Sequence, residues 1–324
     1  MVVKTITPPV EKAVPTVSTS QEVITRIIND REVRGHLHSN GGGFVAETAH
    51  VEETAFVGEN AMVLGNAQVS GSARVLHDAE VSGNAKVFGE ARVFGNARVS
   101  DYAWVYGKAE VSESARVYGK AKVYGNAHVK GHAGVFEYAQ VYGDAWVYGK
   151  AEVSGDAGVF GHASVSAHAE VFGHAEVFGH AHVSDYAKVF GDAEISGKAY
   201  VFGKAYVFGN AHILGKAEIG TGSFTSMSIT STEEAQLYLK TMEYLETKLE
   251  EMQETSYANQ VMNETLSPRG SKGKIYEQNY GSAIQAPKKF VRPFRQQQKD
   301  SEEFNETMSP RGPAKKKKEK EEEE

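Results

Sequence analysis

The chain of 324 residues contains no cysteine. Disulfides, thiol chemistry and zinc sites built on cysteine are therefore excluded. No stretch approaches the ~20 apolar residues of a membrane-spanning helix. Residues 1–15 carry prolines and charges but no apolar core of signal-peptide length. These absences set the expectation of a soluble, cytoplasmic protein with no membrane contact. A strong positive charge is also missing: the net charge is −7. Residues 45–219 hold 14 basic and 20 acidic groups, which argues against nucleic acid wrapped around that region.

What is present is a repeat without a slip. From Val45 to Ile219 a valine or isoleucine recurs every six residues, 30 times in register. Two residues before each of the last 29 stands an alanine, from Ala49 to Ala217. On a strand, Ala91 and Val93 face one side, and Arg92 and Phe94 face the other. Each unit is thus a short strand with a small apolar inner face. Glycine fills the bend two residues after the valine in 20 of 29 units, as a corner with positive φ requires. Asp101, Asp185, Glu113 and Glu137 stand there instead in four units. Such short acidic side chains tolerate that backbone better than β-branched ones.

One such strand cannot stand alone, but stacked coils bury their faces together. Three hexads per coil make a triangular prism in which residues 18 apart lie above one another. Thirty hexads give ten coils, a prism roughly 48 Å long at about 4.8 Å per coil. The fold class is an all-β solenoid with a solid Val, Ile and Ala interior.

The run from Val81 to Ala85, or Val147 to Ala151, resembles the hexapeptide-repeat proteins of the left-handed parallel β-helix. Wording such as Gly95-Asn96-Ala97-Arg98-Val99 and Tyr142-Gly143-Asp144-Ala145-Trp146-Val147 is similar to uncharacterised bacterial and phage members often labelled acetyltransferases. The resemblance implies left-handed coils, a three-fold assembly and, as the enzymatic alternative, transfer from acyl-CoA. In such acyltransferases a histidine acts as general base, and a loop interrupting the coils commonly builds the site. No interval here holds an insertion. The acyltransferase reading would rest on fold analogy alone. The γ-class carbonic anhydrases share the fold and gather three histidines between subunits, a spacing not found here.

The domain reading is 1–19 as a disordered arm, 20–44 as a cap, 45–222 as the β-helix, 231–254 as a helix and 255–324 as a low-complexity tail. Within the cap, Ser20 is expected to start a short helix with Val23, Ile24, Ile27 and Ile28 on one side. At the other end Ser231 and Glu234 form a capping box. Ala235, Tyr238, Met242, Leu245, Leu249 and Met252 follow at coiled-coil spacing. This helix either bundles with copies of itself or folds back as a lid, with Leu245 and Leu249 on Ile213 and Ile219.

No catalytic, cofactor or metal residue is assigned. His162 and His180 are expected to stack on one edge, with His132, His168 and His174 at other corners as polar substitutes. The candidate interface is the strip Phe88, Tyr106, Tyr124, Tyr142, Phe160 and Phe178, one residue per coil, together with Met242, Leu245 and Leu249. A contiguous aromatic strip stabilises adjacent coils, forms an interface, or both. In the tail, Asn263 to Gly270 and Asn305 to Gly312 agree at seven of eight positions. Leu266, Ser267, Pro268 and Arg269, with Met308, Ser309, Pro310 and Arg311, are the candidate partner-binding residues; proline-directed phosphorylation is the bland alternative. Residues 266–299 carry eight basic groups and one acidic, a candidate nucleic-acid contact. The function expected is a non-enzymatic scaffold: a rigid homotrimeric rod with a recruiting tail.

Overall fold

The computed structural model describes residues 22–265. The chain divides into two units, Met1–Glu246 and Thr247–Glu324. The first unit is a β-solenoid.

Every hexad contributes one short strand, and successive strands go to three sheets in rotation. The register is 18 residues from the first coil to the last hexad: Phe44 pairs with Met62, Lys86 with Trp104 and Tyr200 with Glu218, all parallel. Each hexad donates hydrogen bonds to the next coil. In one unit, the N–H groups of Lys86, Phe88 and Glu90 reach the carbonyls of Ala103, Val105 and Gly107 at 2.9, 3.0 and 2.7 Å. A two-residue strand has too few such bonds to persist alone, so neighbouring coils hold each other in place.

The core follows the sequence period. From Ala55 to Ala217 the inward alanines and valines or isoleucines are fully buried. Full burial of each valine contributes about 1.5–3 kcal/mol.

The corners also follow it. All twenty bend glycines from Gly65 to Gly215 have positive φ. So do Asp101, Glu113, Glu137 and Asp185, at φ of 59–60°. Three of these carboxylates repay their conformation with a hydrogen bond. Asp101, Glu137 and Asp185 accept from the N–H of Gly119, Gly155 and Gly203 in the next coil, at 3.0, 2.6 and 3.0 Å.

The solenoid continues past residue 222. Strands Ser223–Thr225 and Ser228–Ile229 add to two of the sheets. Their register shortens: Val207 pairs with Phe224 and Ile213 with Ile229. Phe224 is fully buried and Ile229 nearly so.

The N-terminal cap is not the helix expected. Strands β1 (Ile24–Ile28) and β2 (Arg31–Leu37) form an antiparallel hairpin, and β2 pairs antiparallel with β3 (Phe44–Ala46), the first strand of the solenoid. The reason is local. Asn29 and Asp30 both adopt positive φ, 50° and 61°, the backbone of a two-residue turn whose twist matches its strands. Ile24, Arg26 and Ile28 then share one face. Ile24 and Ile28 pack with Val33 against Phe44, and the Arg26 guanidinium sits 5.0 Å from the Phe44 ring.

At the other end, helix α1 (Thr232–Thr265) begins on the expected cap. The N–H of Glu234 donates to the Ser231 hydroxyl at 3.2 Å. The Glu234 carboxylate reaches back to the N–H of Thr230 at 2.7 Å. The N–H of Thr230 and then its hydroxyl, both donating to this carboxylate, hold it below the usual carboxylate range. The helix runs 11 residues past the expected end at 254.

Candidate interaction surface

The residue after each core valine leaves the corner and leans back along the sheet. A Cβ placed on Gly158 would lie 3.6 Å from the Phe160 ring, two residues on. Coil stacking therefore brings these rings face to face. Phe88, Tyr106, Tyr124, Tyr142, Phe160 and Phe178 form one unbroken ladder on the flank of the sheet in which Lys86 pairs with Trp104. Successive centroids lie 4.8, 4.9, 4.9, 4.8 and 5.0 Å apart with planes within 5° of parallel. All six are half-buried. Burial pushes the hydroxyls of Tyr106, Tyr124 and Tyr142 to higher pKa. The Tyr124 hydroxyl donates to Gln140 Oε1 at 3.5 Å.

The second stripe is interrupted at Ser154. Tyr118 stacks on Phe136 at 4.9 Å, while Phe172, Phe190 and Phe208 stack at 4.8 and 5.1 Å. The Tyr118 hydroxyl is pushed up to about 12, chiefly by burial, then by Glu152 and Glu137. The third stripe holds Ser112, Lys130, Ser166 and Ser184 among its members. There the Lys130 ammonium lies 4.7 Å from the Trp146 ring.

His162 and His180 stack at 4.9 Å and 7°, as the 18-residue spacing predicts. His162 Nδ1 lies 3.6 Å from Asp144 and His174 Nδ1 3.7 Å from Asp156. His168 stacks on Tyr186 at 5.0 Å, and the His132 N–H donates to the Gly149 carbonyl. Among the described residues, no three histidines or carboxylates are grouped to hold a metal ion. No described helix is long and apolar enough to cross a membrane.

The heptad seam of α1 is split between two tasks. Ala235 is buried, and Tyr238 and Leu239 pack on the end of the solenoid core. A cavity of about 290 Å³ remains beneath these turns, lined in part by Phe202, Ile219, Phe224, Ala235 and Leu239. Met242 is half-buried. Leu245 is 52% exposed, so it does not serve as the lid; Ala235 and Tyr238 do. Leu249 is 46% exposed. The corners of the prism also carry exposed tyrosines that the stripes do not include. Tyr102 and Tyr138 stand on one edge of the prism, and Tyr186 on another. Their signal was the third position after each core valine, where most neighbours are polar.

Leu266 to Arg269 and Met308 to Arg311 of the repeated octamer, and the basic stretch 266–299, lie outside the described residues. Residues 91–107 match a family described as YdcK Beta solenoid repeat. No curated protein matches the chain. The chain is thus a β-solenoid by its structure and carries one matched segment of a β-solenoid repeat family.

Proposed function

We propose that the chain is a structural rod whose copies associate and whose tail recruits a protein partner. The observation that carries this reading is the solenoid interior. Across the hexads every inward position from Ala55 to Ala217 is a buried alanine, valine or isoleucine, in an unbroken 18-residue register. Such a body resists bending and spends its surface on contact. The tail would add avidity, since two copies of one octamer on an oligomer raise the effective concentration for a partner.

The acyltransferase alternative makes an opposite prediction. On incubation with acetyl-CoA and a panel of amines and sugars, release of free coenzyme A is expected to stay at background. Turnover abolished by replacing His162, His168, His174 or His180 would overturn the structural role.

The proposed association is a trimer through α1. Tyr238, Met242, Leu245, Leu249 and Met252 keep the heptad spacing, and the last three are exposed. Copies around a three-fold axis would cover them. Leu245→Asp is expected to reduce the mass of the full chain in light scattering three-fold. Tyr124→Ser with Tyr142→Ser is expected to leave it unchanged, because those rings satisfy each other within one chain. The reverse pattern would move the interface to the ladder.

A further inference from the structure

β1 lies at the end of the 13-stranded sheet, and among the described residues only β2 pairs with it. We propose that β1 is a self-association edge, pairing antiparallel with β1 of a second copy and joining two solenoids at their N-terminal ends.

The argument starts from which backbone groups are free. In a two-residue hairpin the residues flanking the turn exchange both their hydrogen bonds. Here those are Ile28 and Arg31. Pairs then alternate, so Ile28, Arg26 and Ile24 direct their N–H and C=O groups at β2. Thr25 and Ile27 direct theirs outward, and so does Val23 just before the strand. Natural sheets protect such an edge with proline, a bulge or outward charge. The three outward residues carry none of these, and Val23 and Ile27 are 53% and 77% exposed.

Register follows from the same alternation. The hydrogen-bonded pairs of a β1–β1 contact must join odd-numbered residues to odd-numbered residues. Centring on Arg26 would set two Arg26 side chains directly opposite in the closely spaced, non-hydrogen-bonded position, where like charges repel. Centring on Thr25 avoids this. Thr25 then faces Thr25 of the second copy, and Val23 faces Ile27 on both sides. The two exposed apolar residues become cross-strand partners, and six backbone hydrogen bonds are expected from three pairs. Arg26 stays over its own Phe44 ring. The occupant is a second copy because the edge complements itself: apolar meets apolar, and the two-fold axis falls on a small polar residue.

This contact is separate from the α1 seam, and one measurement distinguishes them. Light scattering on the full chain is expected to give an even number of protomers. Thr25→Pro removes the central outward N–H while leaving the β1–β2 hydrogen bonds, and is expected to halve the mass. Thr25→Arg and Thr25→Glu are each expected to halve it too, by like-charge repulsion across the axis. Mixing those two variants is expected to restore the full mass, which a variant that had merely misfolded would not do. A wild-type mass with an odd number of protomers, or one unmoved by Thr25→Pro, overturns the proposal. So does a mixture that fails to recover. Leu245→Asp reports on the α1 trimer alone: its three-fold loss, present or absent, leaves the halving at β1 intact.

Discussion

Replacing Ala127 with leucine is expected to destabilise the solenoid by about 3 kcal/mol, at or above the top of the range for overpacking a core. Ala127 is fully buried, and Ala109 and Ala145 occupy the same inward position one coil below and above. Leucine adds three carbons where neighbouring coils are tied at fixed hydrogen-bond spacing. The Glu110 N–H donates to the Ala127 carbonyl at 2.9 Å, so the backbone is held from that side. A globular core can shift a helix to make room. Here relief requires spreading coils that share three sheets. Because coil stability depends on both neighbours, a mid-prism defect also weakens the coils it separates. Lys122→Leu, an exposed outward position in the preceding hexad, is the matched control and is expected to stay within about 0.5 kcal/mol. Thermal or denaturant unfolding of the three chains checks this. Equal midpoints for wild type and Ala127→Leu would show that the coil can expand and would count against a rigid interior.

The parts of the molecule visible in the sequence share one property: no alternative geometry satisfied them. A six-residue period with alanine and valine two apart fits a strand and leaves a corner for the glycine. Eighteen-residue stacking then fixes the aromatic ladder and the His162–His180 pair. The N-terminal cap was ambiguous because Val23, Ile24, Ile27 and Ile28 fit a helical face as well as a strand. The Asn29-Asp30 pair and the Ile24, Arg26, Ile28 alternation were the deciding signals. The last turn was hidden because the register shortens after Gly220, which defeats a search at fixed spacing, and because Phe224 replaces the small core residues. The α1 seam was legible as a heptad pattern. Its division into a docked start and an exposed remainder was not, because spacing alone does not tell which partner covers which residue. The interface roles given to Phe88 through Phe178 depend on surroundings outside a single chain.

The second large effect is expected at a corner. Gly125 has φ of 74°, and a Cβ placed there would lie 2.9 Å from the nitrogen and 3.0 Å from the oxygen of Gly143 in the next coil. Gly125→Val meets both obstacles. A β-branched residue in the left-handed region costs about 1–3 kcal/mol, and the contact falls on backbone, which cannot rotate away. Gly125→Asp introduces the same Cβ at the same φ. The chain already accepts aspartate at this position of the repeat, however, in Asp101 and Asp185. Each accepts a hydrogen bond from the glycine N–H one coil on, at 3.0 Å. In Gly125→Asp the carboxylate would find the Gly143 N–H in the same relation. The new charge-assisted bond offsets part of the strain. The expected order of melting temperature is therefore wild type, then Gly125→Asp, then Gly125→Val. The aspartate's advantage is expected to shrink as pH falls through the carboxylate range, since a protonated carboxyl accepts that bond less strongly. Equal losses for the two variants at neutral pH would mean that steric contact alone sets the corner. In that case the acidic residues at positions 101 and 185 stand there without the compensating bond their geometry describes.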